Sequence, residues 1–227
     1  FGITDKICAS LYKNGADVIS TGNHIWDQRP IMNYIDSDPK LLRPLNFPEG
    51  TPGNGFGIYE ARSGKKVMVI NAMGRVYMDP LDDPFAAIEK VLSKVSLGLD
   101  VSAVLVDFHG EASSEKQAIG HVLDSRVSVV VGTHTHVPTA DYRILPGGTA
   151  YQSDLGMTGD YNSVIGMQKK AACGRFTTKL PQARLEPATG EGTLCGLLIE
   201  TDDQTGWAKS AAPLRVGGSL IATRPQV

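Results

Sequence analysis

A chain of 227 residues with 41% hydrophobic and 20% charged side chains is long enough to bury a core and has the balance of a water-soluble globular protein. Its formal net charge of −2 excludes bulk nucleic acid as an electrostatic partner, although a compact nucleotide can still bind through a metal. No run of about 18 apolar residues exists, so no membrane-spanning helix is expected.

The chain opens F-G-I-T-D, without a methionine, and enters directly on a helix cap, which leads us to expect upstream sequence. Nothing at Phe1 resembles a signal peptide, so a cytoplasmic location is expected. Thr4 caps a helix over residues 5–13, with Ile7, Leu11 and Tyr12 as its apolar stripe, and Asn14-Gly15 stops it. Residues 16–20 read as a short strand that runs into T-G-N-H at 21–24. Pro30 opens a short helix to Asp36, and the proline-rich stretch 39–52 shows no period. Residues 53–61 and 65–72 pair as a hairpin through Ser63-Gly64. An amphipathic helix over 84–96 follows, then a buried strand over 101–108 that ends at His109. The helix over 113–123 has Glu115 near its start, where a carboxylate suits the dipole.

Residues 127–131, V-S-V-V-V, form a β-branched run suited to a strand covered on both faces. Gly132 ends it, and His134 and His136 follow. In an extended chain these imidazoles would share one face, with Cβ atoms about 6.5–7 Å apart, close enough to meet at a metal or a metal pair. Residues 140–145 and 148–152 form a hairpin around P-G-G, 154–163 is a glycine-rich loop, and 193–201 pairs with 207–213. Cys8, Cys173 and Cys195 are odd in number, widely spaced and in no C-x-x-C pair, so free thiols are expected. The order of strands and helices argues for a layered α/β fold, residues 1–227 forming one domain with its site at the carboxyl ends of strands.

Three strands therefore end in metal-capable residues: Asn23 and His24, His109, and His134 with His136. The fifth histidine, His121, falls inside a helix and reads as structural or surface. The texts T-G-N-H-I-W-D, G-T-H-T-H-V-P-T-A-D and I-L-P-G-G-T-A-Y-Q-S-D-L-G-M-T-G resemble the YmdB-like branch of the calcineurin-like metallophosphoesterases. The resemblance implies the layered α-β-β-α metallophosphoesterase sandwich. It also implies a bacterial metal-dependent phosphodiesterase acting on small nucleotides such as 2′,3′-cyclic nucleotides. Asn23 would bind through its amide oxygen, His109 and His134 on the same metal, His136 on a second, and His24 would be the catalytic imidazole. The family pattern also carries an Asp in a G-D motif and a bridging Glu in a G-E-N motif, both earlier than Phe1, so the first strand, first helix and second strand of the family are expected upstream.

Nitrogen and oxygen donors without thiolate favour Mn, Fe or Zn over soft metals, and the resemblance implies two metal ions, Fe or Mn foremost and Zn next. Such a pair would clamp phosphate oxygens and generate the attacking hydroxide. Asp107 and Asp141 are candidates to orient the histidines. Trp26 reads as a base-stacking or core residue, Arg43 and Arg75 as phosphate or surface residues, and residues 50–57 as a turn that lacks a phosphate-loop ending. The competing expectations are a regulatory or scaffold protein of the same fold and, more weakly, a mononuclear zinc hydrolase. Homo-oligomerisation is left open.

Overall fold

The computed structural model describes residues 1–225. Helix α1 (Asp5–Lys13) begins at Thr4, whose hydroxyl accepts the Ile7 N–H, and is followed by β1 (Ile19–Ser20), α2 (Ile31–Tyr34) and β2 (Leu41–Leu42). Strands β3 (Phe56–Glu60) and β4 (Lys66–Met73) make the expected hairpin. Then come α3 (Pro84–Leu92), β5 (Ala103–His109), α4 (Ser113–Val122) and β6 (Val129–Thr133). The two later hairpins are β7 (Arg143–Ile144) with β8 (Ala150–Gln152), and β9 (Leu194–Thr201) with β10 (Ala208–Val216). Helix α5 (Lys169–Thr177) lies between them.

The central sheet has the order β3-β4-β5-β6-β8-β7; β4, β5, β6 and β8 run parallel, and both edges are antiparallel. Alternation along the strands explains the layering. Met68, Ile70, Val104, Val106 and Val130 face Ile88 of α3 and Ile119 of α4, while Val129, Val131 and Ala150 face Leu197, Ile199 and Ala208 of the last hairpin. Helices, mixed sheet and hairpin thus stack in that order, which is the layered α/β sandwich the sequence implied. A separate cluster of Cys8, Ile19, Ile25, Ile31, Ile35 and Leu41 packs α1, α2 and the parallel β1–β2 pair together. No helix among the described residues is long and apolar enough to cross a membrane.

Several local expectations change. The strand expected over 16–20 is regular only at Ile19 and Ser20, and its partner β2 sits inside the proline-rich stretch expected to be irregular. Ile7 and Leu11 of α1 are exposed, and the side chain that α1 buries is Cys8. Helix α3 stops at Leu92 because its end tightens: Lys94 and Val95 donate to the carbonyls of Val91 and Leu92, three residues back. The loop expected between 154 and 163 is a loop. All three cysteines are free thiols.

Candidate active site

Three neighbouring parallel strands end level with one another: Met73 of β4 pairs with His109 of β5, which pairs with Thr133 of β6. The site grows from that edge. His109 Nε2 lies 2.9 Å from Asn23 Oδ1 and 3.1 Å from His134 Nδ1, and the two imidazoles meet edge to face with centroids 4.8 Å apart. Gly22 makes this approach possible, because a Cβ there would stand 2.3 Å from the His109 ring. Three of the four expected ligands are therefore in direct contact.

His136 is placed differently. The strand stops at Thr133, and His134 and His136 have φ of 108° and 66°, so the chain is not extended there and the two rings do not share a face by strand alternation. The Nδ1–H of His136 donates instead to the Ile165 carbonyl at 2.8 Å, which leaves its Nε2 a free lone pair. His24 leaves the backbone on a turn, and its Nδ1 sits 2.8 Å from Asp27 Oδ2, with the ring stacked on Phe1 at 4.6 Å. Asn23 and His24 thus leave the backbone at a turn rather than at the strand end the sequence suggested, Asn23 reaching His109 and His24 reaching Asp27.

The proton on His109 can be assigned from its neighbours. Asp107 on β5 is buried, and its Oδ2 accepts the Ser20 hydroxyl at 2.5 Å while its Oδ1 accepts the Thr133 hydroxyl at 2.8 Å. Thr133 has one hydroxyl proton, and it is spent on Asp107. At 3.0 Å from His109 Nδ1, the Thr133 oxygen must then accept from that nitrogen, so Nε2 carries only a lone pair. Burial pushes the Asp107 carboxyl up to about 6, against the hydrogen bonds from Ser20 and Thr133. Burial also holds His109 neutral, with its pKa lowered to about 3, and the nearby His134 and Lys116 push the same way. His134 is lowered too, by burial first, with Glu111 opposing.

These donors fit a metal. His134 Nε2 lies 3.2 Å from Glu111 Oε2, so a neutral ring giving its proton to that carboxylate presents Nδ1 as a lone pair. His109 Nε2, His134 Nδ1 and the Asn23 amide oxygen then converge with no proton among them, an arrangement a cation would relieve. Among the described residues no group of three or more His, Cys, Asp and Glu gathers at metal-binding spacing; here the third donor is an amide.

Other residues were missed or misplaced by the sequence reading. Asp141 touches no histidine; it accepts from the Ser153 N–H and pairs with Arg143. Asp154, rather than Asp141, reaches the histidine turn, through the turn's backbone and not through an imidazole. Its Oδ2 accepts from Lys116 Nζ at 2.8 Å and from the Thr135 N–H between the two histidines at 3.0 Å, and its Oδ1 from the Gly156 N–H at 2.8 Å. Glu115 lies in the first turn of α4 as expected, and its carboxylate also holds the β4–α3 loop, accepting the N–H groups of Arg75 and Val76. Arg43 is spent on the carbonyls of Pro44, Leu45, Thr51 and Pro52, whereas Arg75 is an exposed side chain with one ion pair, to Asp83 at 3.3 Å. Trp26 packs edge-on against Phe47 in the α1–α2 core. Of the stretch 50–57, residues 50–55 are a turn pinned by the Gly53 N–H to Asp36 while Phe56 and Gly57 already belong to β3, and His121 is exposed on α4.

The profile of the YmdB-like protein family matches residues 1–214. The chain belongs to that family. A Bacillus subtilis 2′,3′-cyclic-nucleotide 2′-phosphodiesterase is 50% identical over 204 residues, covering 90% of this YmdB-like chain and 76% of the relative. A crystal structure of a Thermus thermophilus hypothetical protein superposes with a TM-score of 0.88 and 39% identity, over 96% of this chain and 83% of that one. A Mycoplasma pneumoniae protein described as a novel phosphatase gives a TM-score of 0.86 and 30% identity, over 95% and 77%. The YmdB-like chain is accordingly a hydrolase of the phosphoesterase class.

Proposed function

We propose that this YmdB-like chain is a metal-dependent phosphodiesterase that opens small nucleotide phosphodiesters, 2′,3′-cyclic nucleotides among them, at a dinuclear centre. The convergence of Asn23 Oδ1, His109 Nε2 and His134 Nδ1 carries the reading. It is supported by the activity named for the Bacillus subtilis relative. Asn23, His109 and His134 would hold one metal and His136 the other, with Fe or Mn suited to nitrogen and oxygen donors and Zn next. When bound, such a pair supplies a strong nucleophile from water at neutral pH and neutralises charge on the phosphate oxygens.

The chain's own residues do the rest. Thr133 and Asp107 keep the His109 proton on Nδ1, so the ring faces the site with a lone pair. Asp27 orients the His24 imidazole. As the phosphorus–oxygen bond to the ribose breaks, His24 protonates the departing oxygen, and a phosphomonoester and a free hydroxyl result.

His24→Ala tests that assignment. A general acid contributes about 10²–10⁴ in rate. The variant should therefore lose kcat of that order on a 2′,3′-cyclic nucleotide, keep its metal content, and lose far less on a nitrophenyl phosphodiester, whose leaving group needs little protonation. Steady-state assays on both substrates with metal analysis decide it. Equal losses on both substrates, or loss of metal, would return His24 to the ligand set.

A further inference from the structure

Beneath the His134–His136 turn lies an ion pair that the proposed chemistry does not use. Lys116 and Asp154 are 2% and 1% exposed, their charged atoms 2.8 Å apart. The lysine stem passes under Gly132, where an added Cβ would meet its Cδ at 3.0 Å. Isolated buried charges are costly, and even a paired one gains little stability over apolar groups of the same size, so such a pair is weak evidence of a stabilising role. Its geometry is that of a clamp. One Asp154 carboxylate holds the Thr135 N–H with one oxygen and the Gly156 N–H with the other, and Lys116 fills the remaining position on the first. Thr135 stands between two histidines whose φ of 108° and 66° L-residues rarely adopt. A backbone in that state persists only where its surroundings over-determine it.

We propose that the Lys116–Asp154 pair is a positioning device for the metal-binding turn, holding His134 and His136 in their left-handed conformations so that both imidazoles are set before any ion arrives. The inference rests on the metal-site reading above. Lys116 comes from the first turn of α4 and Asp154 from the loop after β8, so the clamp ties both elements to one short turn. Removing either partner strands a buried charge; removing both charges together does not.

The test uses Lys116→Met, Asp154→Asn and the double variant, with Mn²⁺ titrated calorimetrically into metal-free protein. Loss of a group that orients ligands weakens metal binding about 10–100-fold. The double variant should melt near the parent and still bind Mn²⁺ about 10–100-fold more weakly, and its loss should be no greater than that of Asp154→Asn alone, because the two residues act as one unit. Amide hydrogen exchange on the metal-free parent gives an independent reading. The Thr135 and Gly156 amides should be protected like those of β6, and in the double variant, where the Asn side chain keeps a single acceptor oxygen, at least one of the two should open while β5 and β6 stay closed. A double variant that binds Mn²⁺ as the parent does, or a parent whose Thr135 and Gly156 amides exchange freely, overturns the proposal. A parent that binds no Mn²⁺ yet shows the protected amides sinks the metal reading and leaves the clamp standing; should the variants fail to fold, the parent's exchange pattern decides.

Discussion

His109→Ala is expected to lower phosphodiesterase activity by about 10³-fold or more. Electrostatic stabilisation by a metal centre is worth several kcal/mol, and every 1.36 kcal/mol is tenfold in rate. His109 is the hub of the donor set, since its Nε2 faces Asn23 Oδ1 and His134 Nδ1 together. Alanine removes the lone pair and also the ring that walls the site against Gly22. The fold should survive, because the Thr133 hydroxyl keeps its bond to Asp107 and the cluster of Phe108, Val106 and Ile119 behind it is untouched. Metal analysis and kcat on a 2′,3′-cyclic nucleotide, beside His121→Ala as an exposed-histidine control, measure it. Activity within tenfold of the parent would remove His109 from the centre.

Gly132→Ala is the substitution with the largest expected cost in stability. A Cβ on Gly132 would fall 1.8 Å from the Ser153 carbonyl oxygen and 2.6 Å from its carbon. That neighbour is backbone, fixed on the other side by the Leu155 N–H, which donates to the Gly132 carbonyl at 2.9 Å. Side-chain rotation cannot relieve the clash, so β6 must move away from the chain leaving β8. Overpacking of this kind costs about 3 kcal/mol, at the upper end of its usual range. For a chain of this size that lowers Tm by about 6–12 °C. Differential scanning calorimetry reads it directly, and a shift below about 2 °C would mean that the two segments separate more easily than their hydrogen bonding suggests.

The outer frame of the site was legible because it obeys periodicity. The valines of β6 and the V-L-V-D-F-H run of β5 signal buried parallel strands, and neighbouring parallel strands bring the residues at their carboxyl ends to one edge of the sheet. The histidine turn itself was not legible, since alternation holds only while the chain stays extended and the left-handed φ of His134 and His136 has no signature in a non-glycine residue. Lys116 looked like any polar residue on a helix; only the fold shows that its stem runs under Gly132 and its ammonium ends beside Asp154. Asp141 and Asp154 differ by their loop paths, which spacing does not encode. Two-residue β2 and the weakly amphipathic α5 fell below what a repeat pattern can reveal.

The proposed ligands do not all belong to the same packed body. Asn23 rides on the turn after β1, within the α1–α2 cluster, whereas His109 and His134 stand on the six-stranded sheet, and β1–β2 is not hydrogen-bonded into that sheet as a strand. Hydrogen bonds join the two near the site: the Ser20 hydroxyl on Asp107, the Thr21 N–H on Asn71 Oδ1 at 3.3 Å, and, in the segment after β2, the Leu45 N–H on the Asn71 carbonyl and the Asn46 amide on both backbone groups of Met73. An ion bridging Asn23 to the histidines would therefore act as a rivet across a seam. Binding that needs both sides in place stabilises them jointly by RT ln(1 + [L]/Kd), about 2.7 kcal/mol at a hundredfold excess over Kd. Chelation would withdraw that contribution from the seam first, leaving it to those hydrogen bonds alone while the sheet beneath kept its shape.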